Sequence, residues 1–86
     1  MPLVAGLDFG GGAVKACVAD VDRAEVLAVA QEPTETSFPA PGRAEFDPDA
    51  WWRAATVAMR AAVSQTARPP DDYGAVSVTS LRQGYV

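Results

Sequence analysis

The segment LVAGLDFGGGAVKACVAD, residues 3–20, sets the frame for the rest of the chain. Two apolar runs make up its ends, and Gly10, Gly11 and Gly12 lie between them. Because glycine alone adopts positive φ without steric cost, three glycines between two strand-like runs predict a tight β-hairpin. The backbone N–H groups of such a turn are not covered by side chains, so the turn is expected to attract anions.

Two charged residues flank the glycine turn. Asp8 ends the first predicted strand, and Lys15 lies a few residues into the second. This arrangement predicts a phosphate site with a metal-holding carboxylate. A purely structural interpretation also stands, since an Asp before a turn often only caps backbone N–H groups. The P-loop and the dinucleotide fingerprint are both excluded, because each needs a helix after its glycines and a β-like run follows here.

Length and composition limit the remaining classes of protein. The chain has 86 residues, 49% of them hydrophobic and 21% charged, which predicts at most one globular domain with a marginal core. Its net charge is −4 and its seven basic residues are scattered, so we expect neither nucleic acid nor an anionic membrane as a partner.

The cysteine and histidine content excludes further kinds of site. Cys17 is the single cysteine and histidine is absent, so the sequence contains neither a disulfide framework nor a Cys/His metal cluster. We expect Cys17 to be a small core residue. No leader-like or membrane-spanning run is recognisable, and a cytoplasmic location fits best.

The predicted elements form an α/β unit: an antiparallel three-stranded meander, then a helix, then a further strand. A loop over residues 33–47 carries three prolines and Gly42, and Phe38 and Phe46 are expected to anchor it. The predicted strands are Leu3–Phe9, Ala13–Asp20, Glu25–Glu32 and Ala75–Thr79. Turns are predicted at residues 21–24 and 71–74.

A single principal helix is predicted over Pro48–Thr66. Asp47 is its expected N-cap, Pro48 suits the first helical position and Asp49 faces the positive end of the dipole. We expect Trp51 and Trp52 to be core anchors that pack on the sheet. At 100° per residue, one arc of about 140° collects the residues expected to be buried. They are Ala58, Trp51, Ala62, Ala55, Thr66, Met59, Trp52 and Val63, with Arg53, Thr56, Arg60 and Ser64 opposite.

In this order of elements the chain resembles the N-terminal end of the FGGY carbohydrate kinases. The resemblance covers nearly all 86 residues and rests on GLDFGGGAVK at 6–15, PGRAEFDP at 41–48, DAWW at 49–52 and VSVTSLRQG at 76–84. The first motif is shared with the whole sugar kinase, Hsp70 and actin superfamily. The other three at this spacing are specific. The resemblance implies the N-terminal portion of a ribonuclease H-like (actin-like ATPase) fold. In that arrangement the fourth strand would be a parallel strand beside the first, which the intervening helix permits as a crossover.

The family resemblance also implies roles for individual residues in a kinase that uses ATP and Mg²⁺. Asp8 would hold the magnesium or its waters, the turn of Gly10, Gly11 and Gly12 would approach the phosphates, and Lys15 would add positive charge. Arg82 and Gln83 stand where the family places ligands of the sugar or polyol hydroxyls. Family members usually carry Thr or Ser where this chain has Gly11 and Gly12, so hydroxyl contacts to phosphate are lost.

The resemblance further implies that residues 1–86 are a partial N-terminal domain. The general base of the family, an Asp well into the chain, and the second domain are absent, so no catalytic residue is assigned. We expect the intact parent to be the enzyme, its missing C-terminal part to be the partner of this segment, and the 86 residues alone to be inactive.

Alternatives remain open at this point. A non-catalytic remnant that acts as a small interaction module is one, and an Hsp70-like or actin-like nucleotide domain is a more distant one. The residues LRQG at 81–84 are most similar to those of the autoinducer-2 kinase branch and somewhat similar to those of the glycerol kinases. The identity of the sugar stays open.

Overall fold

A computed structural model describes residues 2–10, 12–34, 41–42 and 47–80. This part of the chain contains four strands, one α-helix and one short 3-10 helix. Their bounds are β1 Leu3–Phe9, β2 Ala13–Asp20, β3 Glu25–Pro33, α1 Pro48–Thr66, the 3-10 helix Pro70–Asp72 and β4 Tyr73–Ser80. The predicted α/β class is confirmed, and so are the hairpin and the single principal helix. Phe38 and Phe46 lie outside the described residues.

The four strands form one mixed sheet in the order β3-β2-β1-β4. β1 pairs antiparallel with β2, and β2 pairs antiparallel with β3, which confirms the predicted meander. β4 pairs with β1 in parallel, as predicted. A parallel neighbour requires a crossover connection, and α1 supplies it.

Two strands differ in length from their predictions. β3 extends one residue further, to Pro33, which is tolerated because proline can end a strand at the edge of a sheet. β4 begins at Tyr73 instead of Ala75, because Tyr73 already pairs with Leu3 and its hydroxyl lies 3.1 Å from Thr66 Oγ1. The turn before β4 is therefore the 3-10 helix, with the Arg68 Nε donating to Asp72 Oδ2 at 2.7 Å.

The N-terminus of α1 is capped as predicted. Asp47 has an extended backbone, and its Oδ1 accepts a hydrogen bond from the Asp49 N–H at 2.9 Å. Pro48 takes the first helical position, where its missing N–H costs nothing. The other end has no glycine: Ala67 adopts the left-handed conformation and donates its N–H to the Val63 carbonyl at 3.2 Å.

The buried face of α1 is rotated relative to its prediction. The buried residues are Trp51, Ala54, Ala55, Ala58 and Ala62. Trp52, predicted to pack on the sheet, is 69% exposed. At 100° per residue the observed face is turned by about 60° from the predicted arc, toward Ala54. Alanines along one face allow the helix to lie close to β2 and β3, and Trp51 takes the aromatic position against the sheet.

The core lies between α1 and one face of the sheet. Leu3, Val14 and Val18 are its largest fully buried side chains. Trp51 stacks on Phe9, with ring centroids 6.0 Å apart and planes inclined by 16°. The prediction that Cys17 is a core residue is wrong: its paired neighbours are Gly6 and Val29, on the sheet face away from the helix, and it is only half-buried.

The helix covers only part of the sheet. α1 packs mainly against β2 and β3, and its contact with β1 is smaller, with Trp51 stacked on Phe9. On β4, Val76 and Val78 pair with Ala5 and Leu7, so they share the helix-side face, yet they are 64% and 57% exposed. β4 is thus an uncovered edge strand within the described sheet. In the same part of the chain, no helix combines the length and apolar character that crossing a membrane requires.

Candidate functional site

The face of the sheet opposite α1 carries a polar row that crosses all four strands. Asp8 on β1 pairs with Lys15 on β2 and with Thr79 on β4, and Lys15 pairs in turn with Gln31 on β3. Residues paired in this way point to the same face, because side chains alternate along each strand. The strand register therefore brings Asp8 and Lys15 together on one face of the sheet, while their roles at a phosphate and metal site stay predictions.

Asp8 makes a side-chain contact to the neighbouring parallel strand. The Thr79 hydroxyl donates a hydrogen bond to Asp8 Oδ1 at 3.0 Å. Both residues lie one position before the last residue of their strands, β1 and β4. Ligands of open α/β sheets collect beyond the carboxyl ends of parallel strands, and Asp8 and Thr79 lie at such an end.

Lys15 contributes a positive charge on the same face. Its side chain is exposed, and in the described part of the chain it forms no ion pair with Asp8, although the two residues are opposite each other. An ammonium group that is not bound to a carboxylate remains available to an anion. The pair of opposite charges thus offers a carboxylate and a cation to one ligand.

The glycine turn differs from its prediction in detail. Gly10 donates its N–H to the Ala13 carbonyl at 3.0 Å, so this amide is occupied within the hairpin. Neither Gly10 nor Gly12 has positive φ. A Cβ added at Gly10 would lie 3.2 Å from the Ala13 carbonyl oxygen, so close approach of the backbone explains this glycine, whereas a Cβ on Gly12 would meet nothing within 4 Å.

Three predicted site residues, Gly11, Arg82 and Gln83, lie outside the described residues.

An open groove lies beside Asp8 on the same face. It has a volume of about 320 Å³, and Asp8, Lys15 and Thr79 line one part of it. The remainder is lined by Gly6, Leu7, Ala16, Cys17, Val29 and Ser77. Gly6 keeps the groove open, because a Cβ there would lie 3.1 Å from the Cys17 Sγ.

Sequence reasoning missed Thr79 as a site residue. The signal was present in β4, where small hydroxyl residues alternate with valines at 76–79 and therefore share one face. What the sequence does not contain is the register of β4 against β1, which places Thr79 beside Asp8.

Comparison with solved structures defines the class of fold. The xylulose kinase from Rhodospirillum rubrum matches with a TM-score of 0.79 and 32% identity, over 92% of this chain and 16% of that one. A xylulose-type kinase from Brucella ovis matches with a TM-score of 0.82 and 26% identity, over 91% of this chain and 16% of that chain. The fold is that of the sugar kinases with an actin-like ATPase fold.

Sequence comparison then defines the family. The profile of the FGGY family of carbohydrate kinases, N-terminal domain, matches residues 3–86. The chain belongs to this family. It is 34% identical over 80 residues to a glycerol kinase of Methylorubrum extorquens and 32% identical over 81 residues to the autoinducer-2 kinase of Escherichia coli K12. Each match covers 93% of this chain, which spans only 16% and 15% of the two relatives.

Proposed function

We propose that residues 1–86 form part of the N-terminal domain of an ATP-dependent carbohydrate kinase, which transfers the γ-phosphoryl group of ATP to a hydroxyl of a sugar or polyol. The family match over residues 3–86 is the observation that carries this proposal. The pairing of Asp8 with Lys15 at the carboxyl end of β1 supports the proposal. Phosphoryl transfer needs a carboxylate for the metal and a cation near the phosphates, and these two residues supply them.

Asp8 is proposed to serve Mg²⁺, and its surroundings fit that ion. The carboxylate is exposed, and only its Oδ1 is engaged, by Thr79. Within the described residues there is no cluster of three or more Asp, Glu, His or Cys side chains that would form a protein cage. Magnesium does not need one, since it usually binds through one or two carboxylates, waters and substrate phosphates. When bound, the ion would neutralise charge on the phosphates.

Lys15 and the glycine turn are proposed to face the ATP phosphates. Lys15 brings an exposed ammonium group to the same side of the sheet as Asp8. Gly10 and Gly12 contribute little side-chain bulk, so phosphate oxygens can approach the turn closely. The Gly10 amide donates to the Ala13 carbonyl, so it is not among the amides proposed to contact phosphate.

Arg82 and Gln83 are proposed to bind hydroxyls of the acceptor sugar. They follow the carboxyl end of β4, which is parallel to β1. The planar donor group of Arg and the donor and acceptor atoms of Gln suit adjacent hydroxyls. This segment would therefore complete the acceptor side of the site, while Asp8 serves the metal.

The test is kinetic and uses a full-length kinase. Residues 1–86 replace the matching segment of the Rhodospirillum rubrum xylulose kinase, and sugar-dependent ADP release is measured. We expect Asp8→Asn to lower kcat by about 100-fold with little change in KM for sugar, because charge stabilisation acts mainly in the transition state. Asp49→Asn is the matched control, since Asp49 is an exposed carboxylate on α1.

Arg82→Ala in the same enzyme tests the acceptor assignment. We expect KM for sugar to rise about 10-fold while KM for ATP stays nearly constant. Equal effects on both substrates would refute the role of Arg82, and unchanged kcat in Asp8→Asn would refute the role of Asp8.

The 86-residue chain alone is expected to release no ADP, because transfer needs positioning by both halves of the cleft. Sugar-dependent ADP release by this chain would contradict the proposal of a partial domain.

A further inference from the structure

The hydrogen bond between Thr79 and Asp8 joins residues 71 positions apart in the sequence. The two strands do not need it for their pairing, because backbone hydrogen bonds already connect β1 and β4 in register through Phe9 and Ser80. Both side chains are exposed. A hydrogen bond that is exposed to water on both sides contributes only modestly to stability, so the contact is better explained by what it does to the carboxylate.

The contact restricts the orientation of the Asp8 side chain. An exposed Asp samples several χ1 rotamers, whereas a hydrogen bond to Oδ1 at 3.0 Å selects the one that faces β4. Thr is suited to this task because its branched Cβ makes χ1 stiff. Its hydroxyl is neutral, so it fixes the carboxylate without cancelling its charge and leaves Oδ2 open to a cation.

We propose that Thr79 is a positioning residue, which holds the Asp8 carboxylate in the rotamer that receives the divalent metal. This inference rests on the proposed kinase function, since it takes the metal role of Asp8 as given. It also links the two parallel strands functionally: β1 supplies the ligand and β4 supplies the group that orients it.

The test uses the 86-residue chain and NMR spectroscopy. The Hα–Hβ couplings of Asp8 report its χ1 rotamer, and line broadening by Mn²⁺ reports metal at its carboxylate. Three variants are compared with the unmodified chain: Thr79→Val keeps the shape without the hydroxyl, Thr79→Ser keeps the hydroxyl, and Ser77→Ala is the matched control. Ser77 lies on the same face of β4 but pairs with Gly6, which has no side chain to orient.

We expect Thr79→Val to average the Asp8 couplings and to reduce the Mn²⁺ broadening at Asp8 several-fold. Thr79→Ser should retain most of both, and Ser77→Ala should change neither. A single Asp8 rotamer in Thr79→Val would overturn the proposal. If the rotamer is averaged but Mn²⁺ does not broaden Asp8 even in the unmodified chain, the metal role of Asp8 fails while its orientation by Thr79 stands, so the two failures are distinguishable.

A double-mutant cycle in the chimeric kinase gives a second readout, which does not depend on the 86-residue chain folding alone. We expect Thr79→Val to lower kcat by about 10-fold in the Asp8 enzyme, since small misplacements of a catalytic group are costly. In the Asp8→Asn enzyme the same change should alter kcat by less than about twofold, because Thr79 then has no carboxylate to orient. Additive losses would mean that Thr79 acts independently of Asp8 and would refute the inference.

Discussion

Two alanines adopt a backbone conformation that usually belongs to glycine. Ala24, in the turn between β2 and β3, has φ of 53°, and Ala67, after α1, has φ of 54°. In the left-handed region the Cβ of an L-residue approaches the carbonyl oxygen, which costs roughly 1–2 kcal/mol per residue. Asp20 supports the first of these turns, because its buried Oδ1 accepts the N–H groups of Asp22 and Arg23 at 3.0 and 3.2 Å.

Relief of this strain at the end of the helix is measurable. We expect Ala67→Gly to raise the free energy of unfolding by about 1 kcal/mol, because glycine adopts the left-handed conformation freely. Urea denaturation followed by circular dichroism measures the change. The matched control is Ala61→Gly, inside the same helix, which should lower stability by about 1 kcal/mol. A loss of stability at both positions would show that the left-handed strain at Ala67 is negligible.

At the scale of residues, contacts between neighbours in the sequence could be predicted, whereas contacts between residues distant in the sequence could not. The cap of Asp47 was predictable, because an N-cap depends only on the next few residues. The pairing of Asp8 with Lys15 was predictable too, since a short hairpin fixes its own register. Thr79 was not, because its partner lies on a strand that is distant in sequence. The left-handed Ala67 gave no signal, since the usual glycine is missing.

The two tryptophans of α1 separate the buried face of this element from its exposed face. Trp51 is 8% exposed and stacks on Phe9, whereas Trp52 is 69% exposed. Consecutive residues on a helix differ by about 100° in direction, so only one of them can face the sheet fully. Both tryptophans were predicted to be core anchors, because helical periodicity alone does not locate the centre of the buried face.

Truncation of each tryptophan tests this division. We expect Trp51→Ala to lower the free energy of unfolding by about 3–5 kcal/mol, because it leaves a cavity against Phe9. Trp52→Ala should change it by less than about 0.5 kcal/mol, as is usual for exposed positions. If Trp51→Ala does not fold, Trp51→Phe provides a smaller loss for the same urea experiment. Equal losses at the two positions would contradict the observed orientation of the helix.

At the scale of the whole molecule, the meander was predictable from the order of the elements, and the family resemblance added the parallel position of β4. A hairpin, a third strand, a helix and a fourth strand allow a parallel return next to β1, and the observed order β3-β2-β1-β4 agrees. How much of the sheet the helix covers was not predictable. That depends on side-chain size along the contact, and the alanines of α1 place it over β2 and β3 and away from β4.

The edge strand β4, which no described part of the chain covers, has a consequence for behaviour at high concentration. β3, at the opposite edge, carries Glu25 and Glu32 and ends on Pro33, features that discourage the addition of a foreign strand. β4 reads YGAVSVTS, with no charge and no proline, and exposes Val76 and Val78. It therefore offers a template on which another polypeptide can add a strand, and the 86-residue chain should self-associate through it.

We expect Val78→Lys to shift sedimentation-equilibrium profiles toward monomer, while Val57→Lys, at a similarly exposed valine on the helix, leaves them unchanged. Equal shifts by the two lysines would place the association elsewhere on the surface. A shift by Val78→Lys alone would mean that β4 limits the concentration at which this chain stays monomeric in solution.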